Sequence, residues 1–203
     1  PPSACSGSGQ LVVITGTNFT GATVSFTGAP AITISVDNST QITATLPAGA
    51  TTGPISVTTP GGTVVSSSSF TVIALPASSN VTGGGHYCTG GTGVSIGLDG
   101  SESDVSYQLF IGGSTAVGSP VSGTGRSLIF GNQTAAGTYT VVATRTIGGC
   151  TATMSGTAIV SVDAAPAGGT ATATASEVCT GTGTTITLTG YTGTTFQWQQ
   201  SPD

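Results

Sequence analysis

The sequence predicts an all-β protein made of tandem β-sandwiches arranged end to end, the last of them incomplete. Apolar and polar residues alternate with a period of two in runs such as LVVIT at 11–15 and QITATLP at 41–47. These runs are short, rich in β-branched residues and closed by Gly, Pro, Asn or Asp, which is typical of strands joined by turns. Hydrophobic residues make up 36% of the chain, which suits several small cores better than one large core.

The composition excludes several classes of partner. Charged residues account for 4% of the 203 residues, against about 25% in an ordinary soluble domain. The basic residues are Arg126 and Arg145, there is no lysine, and the net charge is -5. We therefore expect no nucleic-acid binding, since nothing could neutralise a row of phosphates. No apolar run approaches the roughly 20 residues that span a bilayer, so we expect no membrane insertion.

Two proline-containing joints predict the domain boundaries. IALPA at 73–77 and DAAPA at 163–167 each follow a strand-like run. The predicted units are residues 1–73 (unit one), 74–164 (unit two) and 165–203 (unit three).

Unit three is too short to form a sandwich by itself. It supplies about three strands, whereas this kind of fold takes about seven. The start of the chain also lacks the pattern of a signal peptide. We therefore expect a segment cut from a longer protein, with completion of unit three by another chain as the alternative.

Unit one resembles the IPT/TIG domain family, which has an immunoglobulin-like sandwich fold. The resemblance rests on LVVITGTNFTGATVSF at 11–26, on STQITATLPAGATTGPISVTTPGGTVVSSSSFTVI at 39–73, and on the TPGG hairpin at 59–62. The residues that match the family pattern are Gly16, Asn18, Phe19, Pro47 and Gly53. The resemblance implies that residues 1–73 form an IPT/TIG-like sandwich.

Units two and three resemble a second kind of repeat. YCTGGTGVSIGL at 87–98 and AAGTYTVVAT at 135–144 are similar to the immunoglobulin-like repeats of giant surface adhesins from gliding, type IX-secreting bacteria. VCTGTGTTITLTG at 178–190 is similar to the opening of a related repeat. This resemblance implies a role in adhesion at a cell surface, or as part of a cell-surface stalk.

The four cysteines indicate disulfides in an oxidising compartment, because the chain has one histidine and no C-x-x-C pair that would suggest zinc. In the immunoglobulin topology Cys88 precedes the second strand and Cys150 follows the sixth. The two then lie at opposite poles, about 25 Å apart, and a disulfide needs Cα atoms within about 7 Å. We therefore favour an interdomain Cys5–Cys150 bond, with Cys88 and Cys179 bonded to partners beyond the segment. A Cys88–Cys150 bond inside unit two stays open as the alternative.

The sequence offers no catalytic or cofactor-binding constellation. His86 is the single imidazole and lies in a glycine-rich stretch that predicts an exposed turn, without a nucleophile or an orienting acid nearby. Asp99, Glu102 and Asp104 in LDGSESD form a candidate calcium site, although their spacing is not that of an EF-hand. The default expectation for that stretch is a solvated loop without metal.

The few aromatic residues are expected to pack in cores. We expect Trp198 to be the core tryptophan of a third strand. Tyr139 begins the sixth strand, where its hydroxyl is expected to bond back to the corner backbone. The residues expected in the core of unit one are Phe19, Phe26 and Phe70.

The function expected from these observations is a non-catalytic structural or adhesive repeat segment of a secreted bacterial cell-surface protein, forming a stalk or fibre stiffened by disulfides. Its expected partners are neighbouring repeats of the same chain, with self-association into fibres and a glycan or other surface ligand as further partners. The alternative is a carbohydrate-binding or linker module of a secreted polysaccharide-degrading enzyme.

Overall fold

The computed structural model describes residues 3–7 and 9–199, and its regular structure there consists of twenty β-strands. This confirms the all-β class. The described residues contain no helical segment with the length and apolar character needed to cross a lipid bilayer.

Unit one contains the first nine strands. They are β1 (Ser3–Cys5), β2 (Leu11–Thr15), β3 (Thr23–Phe26), β4 (Ala29–Pro30), β5 (Ile34–Asn38), β6 (Gln41–Thr45), β7 (Ser56–Thr59), β8 (Gly62–Val65) and β9 (Thr71–Ile73). One antiparallel sheet has the order β2-β6-β5 and the other has the order β4-β3-β7-β8. A separate parallel pair joins β1 to β9.

Unit two contains the next nine strands. They are β10 (Val81–Gly83), β11 (Gly85–Cys88), β12 (Val94–Leu98), β13 (Val105–Ile111), β14 (Thr115–Ser122), β15 (Leu128–Gln133), β16 (Gly137–Arg145), β17 (Thr151–Thr153) and β18 (Ala158–Asp163). The small sheet has the order β10-β12-β15 and the large sheet the order β11-β18-β16-β13-β14, with β17 also paired to β16. The first strand is thus split between the two sheets, and β11 runs parallel to β18.

Each of these units has its own apolar core between two sheets. In unit one, Ile42 and Ala44 on β6 face Val24 and Phe26 on β3 in one buried cluster, which also contains Phe19 and Phe70 as expected. In unit two, the alternate residues of β13 and β16 point inward against β12 and β15. The period of two in the sequence therefore selects the buried side of each strand. The two clusters share no residue, while the boundaries at 73 and 164 themselves stay predictions.

The TGTNF motif closes one end of unit one. The ring of Phe19 is buried against Gly16, where a Cβ atom would lie 2.5 Å from the ring. Asn18 has a φ of 59°, a left-handed conformation that Asn adopts more readily than most residues. A glycine and an asparagine at these positions therefore allow the phenylalanine to fold back over the core.

Unit three departs from the prediction of three strands. Its described residues form one antiparallel pair, β19 (Gly168–Ala173) and β20 (Ile186–Tyr191). Trp198 lies outside both strands and is 60% exposed, so its predicted place in a core is wrong in this structure. The physical reason is that the described part of unit three has no second sheet that could cover the indole.

Tyr139 anchors the corner before β16 as predicted. Its ring is buried in the core of unit two, and its hydroxyl donates a 2.8 Å hydrogen bond to the carbonyl oxygen of Ala135. Burial of the phenol raises the pKa of Tyr139, because desolvation disfavours the phenolate. The neutral hydroxyl is thus kept as a donor to the backbone.

We predict that Tyr139→Phe lowers the free energy of unfolding of unit two by about 1 kcal/mol, because it removes this hydrogen bond and keeps the ring. Urea titration followed by tyrosine fluorescence would measure the change. The matched control is Tyr191→Phe, which makes the same change at an exposed tyrosine of unit three and should leave the transition of unit two in place. Equal effects of the two substitutions would contradict the assignment.

Candidate functional site at the junction of units one and two

The residues that join units one and two form the most elaborate polar site in the described part of the chain. Cys5 is the last residue of β1 and lies opposite Ile73, the last residue of β9. The amide of Ser6 continues the ladder by donating a 2.8 Å hydrogen bond to the Ile73 carbonyl. The parallel β1–β9 pair therefore places Cys5 at the end of unit one where the chain leaves for unit two.

Cys150 is presented by the turn that follows β16. The amide of Arg145 donates a 2.8 Å hydrogen bond to the Cys150 carbonyl, which closes this turn. Gly148 within the turn has a φ of 81°, and a Cβ atom there would lie 2.2 Å from Cδ1 of Ile73. Glycine is therefore required both for the backbone conformation and for the close approach of unit one.

Cys5 and Cys150 form a disulfide, with Cα atoms 5.6 Å apart. This confirms the interdomain pair that the sequence favours. The alternative Cys88–Cys150 pair is wrong, because Cys150 is bonded elsewhere and Cys88 is an exposed thiol. The physical reason is the one given by topology, since Cys88 ends β11 at the pole of unit two that faces away from the Cys150 turn.

Arg145 binds the linker next to the disulfide. Its Nε donates a 2.9 Å hydrogen bond to the Ala74 carbonyl, and its Nη2 donates a 3.3 Å bond to the Leu75 carbonyl. Nη2 also lies 2.9 Å from Oε2 of Glu102, and Nη1 pairs with Oδ2 of Asp104. The side chain is only 13% exposed, so the guanidinium is held between the linker and the loop after β12.

Glu102 ties the far end of the linker to the same arginine. Its Oε2 accepts a 3.1 Å hydrogen bond from the Ala77 amide as well as the bond from Arg145. The linker residues 74, 75 and 77 are therefore all fixed to unit two by polar contacts. A guanidinium suits this role because its planar fork reaches two carbonyls and two carboxylates at once.

The predicted calcium candidates have other partners in the structure. Glu102 and Asp104 bind Arg145, whereas Asp99 accepts hydrogen bonds of 2.7 Å from the amide and the side-chain Nδ2 of Asn80. These bonds hold the pKa of Asp99 below its usual value. Among residues 3–7 and 9–199, no group of three His, Cys, Asp or Glu side chains could hold a metal ion.

His86 lies in β11 and not in the predicted turn. Its Nδ1 is 3.3 Å from Oδ1 of Asp163, and both side chains are largely exposed. The strand assignment follows from the parallel pairing of β11 with β18, in which His86 lies opposite Ser161. The glycines before it therefore mark the crossing between two sheets and not a solvent-exposed turn.

Sequence reasoning missed the role of Arg145. The signal that could have found it is its position, because it is one of two basic residues and precedes Cys150 by a single short turn. Its main partners are backbone carbonyls of a distant linker, and no sequence motif reports such contacts.

The geometry of Cys5 recurs at Cys88. Cys88 ends β11 opposite Asp163, the last residue of β18, and the Thr89 amide donates a 2.8 Å hydrogen bond to the Asp163 carbonyl. Cys5, Ile73 and the Ser6 amide have the same relationship at the end of unit one. Each pole thus places one cysteine beside the last residue before a linker.

The joint between units two and three, at 163–167, repeats a backbone contact of the joint between units one and two, at 73–77. The Ala77 amide donates to Glu102, 25 residues later. The Ala167 amide donates a 2.7 Å hydrogen bond to Oγ1 of Thr192, also 25 residues later. Cys179, like Cys88, is an exposed thiol.

We predict that Arg145→Met lowers the free energy of unfolding by about 1–3 kcal/mol, because it leaves the linker carbonyls and two carboxylates without their charged donor. Arg145→Lys should recover only part of this loss, since an ammonium lacks the fork. Equilibrium urea denaturation of the oxidised chain would measure both variants. The control is Arg126→Met at the exposed second arginine, which should change stability by less than about 0.5 kcal/mol; a comparable loss there would refute the assignment.

Comparison with known proteins gives one family match and several structural likenesses. No curated protein matches the chain significantly. The chain is similar to the Bacteroides ovatus mixed-linkage glucan utilization locus protein SGBP-B in complex with a mixed-linkage heptasaccharide (15% identity, 89% of this chain, TM-score 0.31), and spans 47% of its length. It is also similar to murine CEACAM1b, with 12% identity, coverage of 80% of this chain and 96% of that chain, and a TM-score of 0.38. At these TM-scores nothing about ligands or partners follows.

Residues 1–72 match the family model described as the IPT/TIG domain, so this part of the chain is similar to that family.

Proposed function

We propose that the chain is a non-catalytic structural segment of a secreted bacterial cell-surface protein, in which disulfides hold successive β-sandwiches end to end. The observation that carries the proposal is the Cys5–Cys150 bond between two sandwiches. Interfaces between domains of one chain usually permit relative motion. A covalent bond beside a linker that Arg145 also holds would restrict that motion and stiffen the segment.

The finer assignment is a repeat segment of a giant surface adhesin of the kind found in gliding, type IX-secreting bacteria. It is supported by the sequence likeness of units two and three to such repeats and by the oxidised cysteine pair, which suits an extracellular protein. In this assignment the neighbouring repeats of the same chain are the main partners.

Self-association into fibres is a further part of the proposal. The edge strand β5 exposes all five of its residues, and an unpaired strand edge is a template for pairing with another chain. With only 4% charged residues, the surface has little like-charge repulsion to oppose such pairing.

The alternative function is glycan binding. The observation in its favour is that Tyr191, Phe196 and Trp198 of unit three are all exposed. Their exposure is equally explained by the missing second sheet, which is why the structural function is favoured. Binding of the chain to a glycan array, with loss of binding in Trp198→Ala, would favour the alternative.

We propose that Cys88 forms the next junction with a hairpin cysteine of the completed unit three, and that Cys179 continues the series. The support is the recurrence at Cys88 of the ladder that places Cys5, together with the repeated 25-residue contact of the linker alanines. The stretches of sequence enclosed by successive disulfides would then overlap.

The stiffening role predicts a specific response to force. With the disulfide intact, pulling on the two ends of the chain should not extend the backbone between Cys5 and Cys150. The double variant Cys5→Ser, Cys150→Ser should release that segment, and the separation of 145 residues corresponds to about 480 Å of extended chain. Single-molecule pulling measures this length directly.

The control for the pulling experiment is Cys88→Ser, which leaves the Cys5–Cys150 bond in place and should extend like the unmodified chain. An unmodified oxidised chain that extends as far as the double variant would contradict the proposal.

The Cys88 junction predicts a disulfide in a designed tandem. A second copy of residues 74–163 fused after Asp163 places a Cys150 turn where the completed unit three would follow unit two. Cys88 of the first copy should then bond to Cys150 of the second copy, because the linker and the strand end repeat the first junction. Peptide mapping under non-reducing conditions, with a protease that does not depend on arginine or lysine, would detect the bond.

The matched control for the tandem is the same fusion with Cys88→Ser, which should leave the second Cys150 as a thiol. Recovery of Cys88 as a free thiol in the unsubstituted fusion would refute this junction and leave the Cys5–Cys150 junction unaffected.

A further inference from the structure

The disulfide gives the chain a short covalent route through unit two. Cys5 is bonded to Cys150, and the backbone after Cys150 runs through β17 and β18 to Asp163, the last residue of β18. The sequence between the two cysteines is a closed loop that contains β2 to β9 of unit one and β10 to β16 of unit two. A pull on the two ends of the chain therefore passes from Cys5 to Asp163 without entering this loop.

β17 and β18 form one interrupted strand that crosses unit two from pole to pole. Both pair antiparallel with β16, and in the gap between them the Met154 amide donates a 2.9 Å hydrogen bond to the Val141 carbonyl. The strand starts after Cys150 and ends at Asp163, which lies opposite Cys88 at the other pole. A load that enters at Cys150 and leaves at Asp163 is therefore applied to the two ends of a single strand.

This strand is already close to full extension. Thr153 lies opposite Val142. Ala158 lies opposite Tyr139, so five residue steps in this strand accompany three steps in β16. The two extra residues are the slack in the route and correspond to about 7 Å of chain. The paired parts have strand geometry, in which the rise per residue is near its maximum. Because tension does work only through a gain in length, a load on this strand does little work toward unfolding.

Without the disulfide the same pull would load other strands. It would enter unit two through β11 and leave through β18, and the hydrogen bonds between these parallel strands would be sheared. The parallel β1–β9 pair of unit one would be loaded in the same way. With the disulfide in place, β9 and β11 both lie inside the closed loop. The ladders that join the first and last strands of each unit are thus relieved of load.

We propose that residues 150–163 are a tension-bearing strand which, together with the Cys5–Cys150 bond, carries load past unit one and past the other strands of unit two. Residues 6–149 are then unloaded and stay folded while the chain is under tension. This role rests on the proposed structural function and goes beyond it, since stiffness concerns the angle between the units whereas the covalent route decides which residues bear the load. Any surface that unit one presents keeps its shape under load.

Two matched insertions test which residues lie on the route. A Gly/Ser segment of about ten residues is placed either between Gly156 and Thr157, on the route, or between Gly112 and Gly113, inside the closed loop. Both sites are glycine turns of unit two, where φ is positive and a Cβ atom would meet nothing within 4 Å. Each oxidised chain is held by its two ends and pulled in a single-molecule instrument.

We expect the insertion after Gly156 to lengthen the extended oxidised chain by about 35 Å, the length of ten extended residues. The insertion after Gly112 should add no length, because it lies inside the loop. In the Cys5→Ser, Cys150→Ser background both insertions should add the same length. Added length from the Gly112 insertion in the oxidised chain would overturn the proposal.

Reduction at constant force tests whether the unloaded residues stay folded. The oxidised chain without insertions is held at a force at which the units of the Cys5→Ser, Cys150→Ser variant unfold with measurable lifetimes. A small phosphine is then added, which reaches the bond from the side of Cys5, a half-buried residue. Units that stayed folded should unfold in separate steps, with the lifetimes of the double variant, only after the bond breaks.

Release of the whole loop in a single step at the moment of reduction would overturn the proposal, because it would show that both units had already unfolded. That result would leave the stiffening role intact, since the role is tested by the extension of the oxidised chain against the double variant. An oxidised chain that extends as far as the double variant would instead contradict both.

Discussion

The covalent bond between Cys5 and Cys150 is the constraint on which the arrangement of the first two sandwiches depends. It joins the last residue of β1 to the turn after β16, and Ile73 fits against Gly148 beside it. The linker that follows Ile73 therefore begins between the disulfide and the Gly148 turn. The disulfide thus links two small sandwiches that would otherwise share only a short linker.

Three of the nine charged residues of the chain, Arg145, Glu102 and Asp104, interact at this same place. None of the buried residues in the described ranges is polar or charged, and the one arginine that is largely covered is Arg145. Burying a charged side chain costs free energy unless its hydrogen-bond donors have partners. Here two carbonyls and two carboxylates satisfy them, so the charge fixes the geometry of a linker and leaves the cores apolar.

Much of the fold could be predicted from the sequence because most of the predictions used a local pattern. The period of two located the strands, and Phe19 and Tyr139 followed from motifs whose partners are close in sequence. The disulfide followed from topology, since the poles of a sandwich are set by strand order. The role of Arg145 could not be predicted, because its backbone partners, the carbonyls of Ala74 and Leu75, are brought to it only by folding. The prediction that Trp198 is a core residue was wrong because the described part of unit three has no second sheet to cover the indole.

The long sequence separation of the bridged cysteines has a consequence for resistance to proteolysis. Exposed turns such as TPGG at 59–62 are natural targets for extracellular proteases, and this turn lies between Cys5 and Cys150. A single cut there leaves both fragments attached through sulfur. The two fragments would therefore stay covalently linked after a single cleavage.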